Sequence, residues 1–168
     1  PARFTMDLVR PMPRRPSQAA RVGTSFHDWV QRRFSEVAPL FEEQGAAPQE
    51  GGLAELVDAF EAGMFGQRAP LAVEVPFLLE RSGMVLRGRI DAVYQWDADG
   101  FEHLVVDWKT SERPADPLQL AVYKQAWGES RGLPPEQVGA AFYHVATDRL
   151  EFHEAPVSLL DDVFASDV

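Results

Sequence analysis

Two aspartates and a lysine stand out in GRIDAVYQWDADGFEHLVVDWKT, residues 88–110. Asp91, Asp107 and Lys109 fall in segments that otherwise read as buried β-strand, where an unpaired charge forfeits much of its hydration energy. Side chains alternate across a strand, so His103, Val105, Asp107 and Lys109 share one face while Leu104, Val106 and Trp108 share the other. On the preceding strand Arg87, Arg89, Asp91 and Val93 share a face, and a short hairpin brings Asp91 beside Asp107. Two carboxylates offer hard oxygen ligands to Mg²⁺ or Mn²⁺, and an ammonium two residues beyond one of them can orient or deprotonate water and offset charge at phosphorus. The combination describes metal-assisted phosphodiester hydrolysis.

A D-x-K pair by itself carries little information. The alternative makes Asp91 and Asp107 turn-proximal partners of Arg89 and Lys109 in surface ion pairs. Three further features favour chemistry. Gly88 precedes Asp91 in G-x-x-D, where a missing side chain permits close approach to the site. Gln119 and Tyr123 stand four apart after the D-x-K strand, on one face of an expected helix. His27 lies at the polar edge of an apolar helical stripe, within reach of a neighbouring site.

The elements that must position these groups follow from periodicity. Val22, Phe26, Trp29, Val30, Phe34 and Val37 predict a helix from about 17 to 38, with Ser17 and Ser25 as caps and Pro39 as a stop. A Gly, Ala and Pro-rich loop over 44–52 leads to a second helix marked by Leu53, Leu56, Val57 and Phe60. Val73, Val75, Phe77 and Leu79 alternate in a strand that turns at Ser82-Gly83 into MVLRGRIDAVYQW, and Asp97 to Gly100 turns that strand into FEHLVVDWKT. Asp116-Pro117 opens a third helix that ends near Gly128 or Gly132. GAAFYHVAT, a turn at Asp148-Arg149 and LEFHEA form a last hairpin, followed by a short helix near Leu159 to Phe164. The order predicts a mixed sheet flanked by helices, in the α/β (α+β) class.

Composition sets the outer limits. At 168 residues, a single domain can bury roughly two-thirds of its unfolded surface. No apolar run is long enough to span a bilayer and the start is not signal-like, so a cytoplasmic protein with no membrane partner is expected. The chain begins at Pro1, which reads as a fragment of a longer protein. With no cysteine, thiolate zinc and iron–sulfur ligation are excluded and only oxygen and imidazole ligands remain. A net charge of −10 argues against a free-standing nucleic-acid binder, unless neighbouring domains deliver the polyanion and the acids hold cations.

At these residues the chain resembles a known family. Over roughly residues 20–146 it is similar to the RecB-type nuclease domain of the PD-(D/E)XK superfamily, found at the C-termini of bacterial UvrD/RecB-like helicase–nucleases such as the actinobacterial AdnAB complex. RVGTSFHDWV looks like the first-helix motif and GRIDAV like the motif of the first metal-binding aspartate; VVDWKT matches the D-x-K motif and QLAVY the Q-x-x-x-Y motif. The resemblance implies a restriction-endonuclease-like core in αβββαβ order. His27, Asp91 and Asp107 would be metal ligands, joined by the Trp108 backbone carbonyl and by Glu74 on the first strand. Lys109 would be catalytic, alongside Asp107 and Asp91, with Gln119 and Tyr123 orienting the site or the bound strand.

The expectation is then an Mg²⁺- or Mn²⁺-dependent deoxyribonuclease attacking DNA by in-line displacement. The chain, 1–168, would be one nuclease domain, with 1–16 a lead-in and 155–168 a C-terminal extension. It would work beside helicase motor domains of the same polypeptide, and a second helicase–nuclease subunit, at broken DNA ends in a bacterial cytoplasm. Two alternatives stay open: a catalytically silent DNA-end-binding or scaffold module, and a free-standing phage or CRISPR-associated nuclease. No Walker-type phosphate loop occurs, so any motor lies elsewhere. His103 lies too far along its strand for direct ligation and reads as structural, and His144 and His153 have no evident carboxylate partner. The four tryptophans read as core before base-stacking groups, and Arg14, Arg15, Arg21, Arg32 and Arg33 as a solvated helix face or phosphate contacts.

Overall fold

The computed structural model describes residues 17–35, 51–81, 84–112, 114–156 and 158–160. Helix α1 (Gln18–Phe34) buries Val22, Phe26 and Val30, and the Ser17 side chain accepts the Ala20 N–H to cap its start. Ser25 falls inside α1 and caps nothing at its start. The helix ends at Phe34, earlier than periodicity predicts, because Ser35 turns to an extended conformation and spends both its N–H and its hydroxyl on the Gln31 carbonyl. Val37, Pro39 and most of the 44–52 loop lie outside the described residues. Helix α2 (Leu53–Ala62) buries Leu53, Leu56 and Phe60. Helix α3 (Pro117–Arg131) starts at Asp116, whose carboxylate accepts the Leu118 N–H, and stops at Gly132 with φ 66°; Gly128 is buried inside it.

Five strands, β1 (Ala72–Arg81), β2 (Met84–Gln95), β3 (His103–Lys109), β4 (Val138–His144) and β5 (Arg149–His153), form one sheet in sequence order. Every neighbouring pair is antiparallel except β3 and β4, which run parallel because α3 carries the chain back across the sheet. The Ser82-Gly83 turn lies outside the described residues, as does the end of the C-terminal helix, of which residues 158–160 are helical. The α+β architecture is the expected one: two helices, a three-strand meander, a helix and a hairpin. No described helix is long and apolar enough to cross a membrane.

The sheet separates two cores. On one side α1 and α2 bury Phe26, Phe60, Phe65, Tyr94, Trp108 and Tyr143 in a cluster of edge-on rings; such pairs add about 0.5–1.5 kcal/mol each beyond area burial. On the other side α3, with Leu120 and Trp127, covers Ile90, Val93, Val105 and Phe142. β3 alternates as expected, with Leu104, Val106 and Trp108 toward α1 and α2 and Val105 toward α3.

Strand β1 does not alternate throughout. Val73 packs on the α1/α2 side and Val75 on the α3 side, with Glu74 between them at φ 48°. The same switch occurs opposite it in β2, between Ile90 and Ala92. Register continues through this point, Val73 facing Ala92 and Val75 facing Ile90, so Glu74 lies opposite Asp91. A left-handed non-glycine residue costs about 1–3 kcal/mol and persists where its surroundings enforce it.

The β4–β5 connection also departs from expectation. A 3₁₀ turn (Val145–Thr147) and left-handed Asp148 replace a simple turn at Asp148-Arg149. The Asp148 carboxylate accepts the Tyr143 hydroxyl at 2.6 Å and the Met64 N–H at 2.8 Å, tying the hairpin to the end of α2.

Candidate active site

The expected residues meet where β1, β2 and β3 pass the first half of α1. The β2–β3 pairing runs from Gln95↔His103 to Ala92↔Val106 and would next place Asp91 opposite Asp107. There the Asp91 Oδ2 atom accepts the Trp108 N–H at 2.9 Å, in the manner of a strand neighbour. Sequence reasoning looked to the Trp108 carbonyl and missed this use of its N–H; a carboxylate at the point where two strands part is the available signal.

His27 Nδ1 lies 3.2 Å from Glu74 Oε1 and 3.7 Å from Asp91 Oδ2. His27, Glu74 and Asp91 each present a ligand atom within 4.8 Å of the others. The left-handed backbone of Glu74 thus lies in the residue that completes this cluster. Asp107 is 3% exposed and turns toward the neighbouring lysine, with Lys109 Nζ 2.7 Å from its Oδ2. The Lys109 ammonium is the partner of this buried oxygen, which has no other donor among the described residues.

These acids are held away from their ordinary ionisation. Burial, then the Asp107 charge, pushes Asp91 up to about 7, against the opposing pull of His27 and the Trp108 N–H. Burial also raises Asp107, opposed by the Lys109 hydrogen bond and charge. Burial works against the His27 imidazolium, but the Glu74 contact and the fields of Asp91, Glu74 and Asp107 outweigh it and raise the histidine.

The donor set fits a hard divalent cation: imidazole nitrogen and carboxylate oxygens converge, and the buried Asp107 carboxylate beside them has the Lys109 ammonium as its partner. Beside it, α3 supplies the pair expected at helical spacing. Lys109 Nζ donates to Gln119 Oε1 at 3.4 Å, and Gln119 Nε2 donates to the Tyr123 hydroxyl at 3.0 Å. Burial, followed by the charges of Asp91 and Asp107, raises the Tyr123 pKa and keeps it a phenol.

A cleft of about 420 Å³ opens onto this cluster, lined by Gly23, Thr24, His27, Glu74, Thr110 and Ser111 among others. Gly23 and Thr110 escaped the sequence reading. A Cβ at Gly23 would lie 2.9 Å from Thr110 Oγ1, so glycine lets α1 approach the end of the D-x-K strand. Gly88 has a different purpose from the expected one: it faces Phe77 in the register, and a Cβ there would meet that ring at 2.9 Å. Phe77 in turn packs edge-on against Tyr123, with ring centres 6.0 Å apart.

The remaining candidates have structural partners. His103 Nδ1 accepts Trp127 Nε1–H at 3.0 Å. Trp108 and Trp127 are buried, Trp29 packs on Phe26 and Phe60, and Trp96 on Phe65. Arg33 is committed to Glu61 and the Gly66 carbonyl, Arg21 and Arg32 are exposed on α1, and Arg14 and Arg15 lie outside the described residues. His144 and His153 do have a carboxylate: Glu151 contacts His144 across the β4–β5 hairpin and His153 two residues along its own strand.

Comparison with known proteins bears on the fold and the family. A candidate exonuclease from Eubacterium rectale has a solved structure that superposes with a TM-score of 0.51, at 17% identity, over 89% of this chain and 63% of its own. That likeness concerns the fold. The Gene 69 protein of Mycobacterium phage D29 is 38% identical over 71 residues, 42% of this chain, which spans 25% of the phage protein. The sequence profile of the PD-(D/E)XK nuclease superfamily matches residues 1–164, and with acids, histidine and lysine gathered at one end of such a sheet, the chain belongs to that superfamily.

Proposed function

We propose that the chain is a divalent-metal-dependent deoxyribonuclease domain that hydrolyses DNA phosphodiester bonds. The observation that carries the reading is the meeting of the His27, Glu74 and Asp91 cluster with a buried Asp107–Lys109 ion pair. His27, Asp91 and Asp107 would hold Mg²⁺ or Mn²⁺, with Glu74 and the Trp108 carbonyl completing the set. The ion would supply Lewis-acid polarisation of the phosphate and a lowered pKa for water.

The chain's own groups do the rest. Lys109 orients the attacking water and faces the negative charge that builds on the phosphoryl oxygens as the new P–O bond forms and the bond to the leaving oxygen breaks. Gln119 holds the lysine through its amide oxygen, and Tyr123 holds Gln119 through its hydroxyl. Placing Lys109 through a helix that also packs on the core limits its freedom before substrate arrives.

The setting we infer is a module of a longer helicase–nuclease acting in double-strand break repair, since motor domains would bring DNA to a chain of net charge −10. The likeness to a mycobacteriophage protein favours a second setting, a phage-type nuclease without a motor. Cleavage of end-labelled single- and double-stranded DNA in Mg²⁺ or Mn²⁺, by the chain alone and fused to a helicase portion, separates them. Strong cleavage by the chain alone favours the phage-type setting. Absence of any cleavage dependent on Asp107 in either form rejects the nuclease and leaves a silent DNA-end-binding or scaffold module.

A further inference from the structure

Next to the site, the α3 face of the sheet carries a row of nitrogen-bearing side chains. Lys109 faces His144 in the β3–β4 register, and His144 faces Arg149 in the β4–β5 register. Directly paired residues project to the same side of a sheet, and the contacts agree. Lys109 Nζ stands 4.7 Å from the Phe142 ring centre, and the Phe142 ring packs edge-on against His153 at 5.1 Å. Glu151, paired with Phe142, joins the row: one carboxylate oxygen contacts His144 Nε2 at 3.1 Å and an Arg149 guanidinium nitrogen at 2.6 Å, and the other contacts His153 Nε2 at 3.0 Å.

The row begins at the group already assigned to the phosphate undergoing attack and leads away from it to solvent. The side chains are 18% exposed at Lys109, 20% at His144 and 55% at Arg149. Strands lie about 4.8 Å apart, so three in succession span about 10 Å. A nucleic-acid strand carries one charge per about 3.4 Å of helix rise, so a strand whose scissile phosphate sits at Lys109 brings its neighbouring phosphate within this span. Glu151 is the only acid the row touches beyond Asp107 among the contacts described, and it grips the same edges of His144 and Arg149 that an anionic oxygen would.

We propose that His144 and Arg149, aligned with Lys109, form a subsite for the phosphodiester adjoining the scissile one, with Glu151 holding both side chains in place before the strand arrives. The subsite rests on the phosphodiester-hydrolase reading above. It takes a nucleic-acid backbone without regard to base, and it gives an acidic chain a local foothold on a polyanion.

The test replaces charge on both partners. Methylphosphonate, which is neutral, is placed one linkage at a time along a labelled single-stranded oligonucleotide, and kcat/KM is read at each bond for wild type and Arg149→Gln. Expected is a loss of about tenfold for the neutral linkage next to the cut in wild type, a similar loss for Arg149→Gln on unmodified DNA, and no further loss when the two are combined. Arg149→Lys should recover part of the loss, and Glu151→Gln should lower KM several-fold by removing a competing negative charge. Independent, multiplying losses overturn the subsite, as does a Glu151→Gln protein that melts earlier without gaining affinity. If wild type shows no cleavage sensitive to Asp107→Ala, the hydrolase reading has failed separately. Anisotropy of the labelled strand at low salt then decides the row: Arg149→Gln must weaken binding and methylphosphonate must erase the difference, and unchanged affinity overturns it.

Discussion

The α3 face of β3 carries a polar side chain at each end, and the fold treats the two ends differently. At His103 the need is met inside the protein: Trp127 donates its indole N–H to the imidazole and packs its ring beside it. At Asp107 and Lys109 it is met only in part, by the lysine's contacts with Asp107 at 2.7 Å and Gln119 at 3.4 Å. The carboxylate is almost wholly buried, its Oδ2 has no donor beyond the lysine among the described residues, and a second raised carboxyl stands on the next strand. The same strand therefore contains a polar group that stabilises the fold and a pair that the fold tolerates. Buried polar atoms that remain unsatisfied cost stability, and they are retained where another species completes them.

Breaking the unsatisfied end should have the largest effect. Asp107→Ala is expected to abolish calorimetric Mn²⁺ binding and reduce cleavage to background, with circular dichroism unchanged; binding equal to wild type would remove Asp107 from the site. Lys109→Ala should come next, lowering cleavage by about a hundredfold or more while leaving metal binding nearly intact, the scale of one preorganised charge at a transition state. Unfolding of that variant would instead make the lysine a structural partner of Asp107.

Proton linkage sharpens the contrast. Asp91 must release its proton to ligate a cation, so Mn²⁺ affinity should fall about tenfold per pH unit below about 7, the value to which its burial and Asp107 push it. In metal-free protein the sign follows from the same shift. The unfolded carboxyl ionises near 3.8 and the folded one at about 7, so the folded state binds more protons between these values and stability drops as pH rises through them. The slope approaches about 1.4 kcal/mol per pH unit. His27, raised above 6.5, adds a loss in the same direction as pH climbs through its folded value. Asp91→Asn, which keeps an oxygen for the Trp108 N–H, should flatten the carboxyl part of this dependence and stabilise the metal-free chain at neutral pH. Thermal melts from pH 4 to 8 measure both.

The satisfied end should give the smallest response. His103→Ala leaves the Trp127 N–H without its acceptor and is expected to cost about 1–3 kcal/mol, read by urea denaturation. Mn²⁺ affinity should be unchanged. A loss of metal binding would show that the two ends of β3 are coupled.

Much of this was legible because period and spacing are local. The alternation in HLVVDWKT puts Asp107 and Lys109 on one face, and the four-residue spacing of Gln119 and Tyr123 puts both on one side of a helix; each follows from backbone geometry alone. Asp116-Pro117 and Gly132 bound α3 for equally local reasons. Helix α1 ends at Phe34 and not at about 38 because Ser35 turns the chain, and a hydroxyl bonding back to Gln31 gives no periodic signal.

What only the tertiary structure decided is which distant groups share the site and which do not. Glu74 is 47 residues from His27, and a left-handed backbone angle in mid-strand is what breaks the alternation of β1 there; a regular pleat would have left that pattern intact. In sequence Gly88 reads as permitting close approach to the site, but the register sets it under Phe77, and His144, without an evident partner in sequence, acquired Glu151 only when β5 folded back along β4. The sequence by itself determined the residue types, the elements and the faces, because those depend on neighbours a few positions away. Strand order, the switch of faces at Glu74 and the burial that pushes Asp91 up depend on contacts between remote segments, and those exist only once the two cores have closed on either side of the sheet.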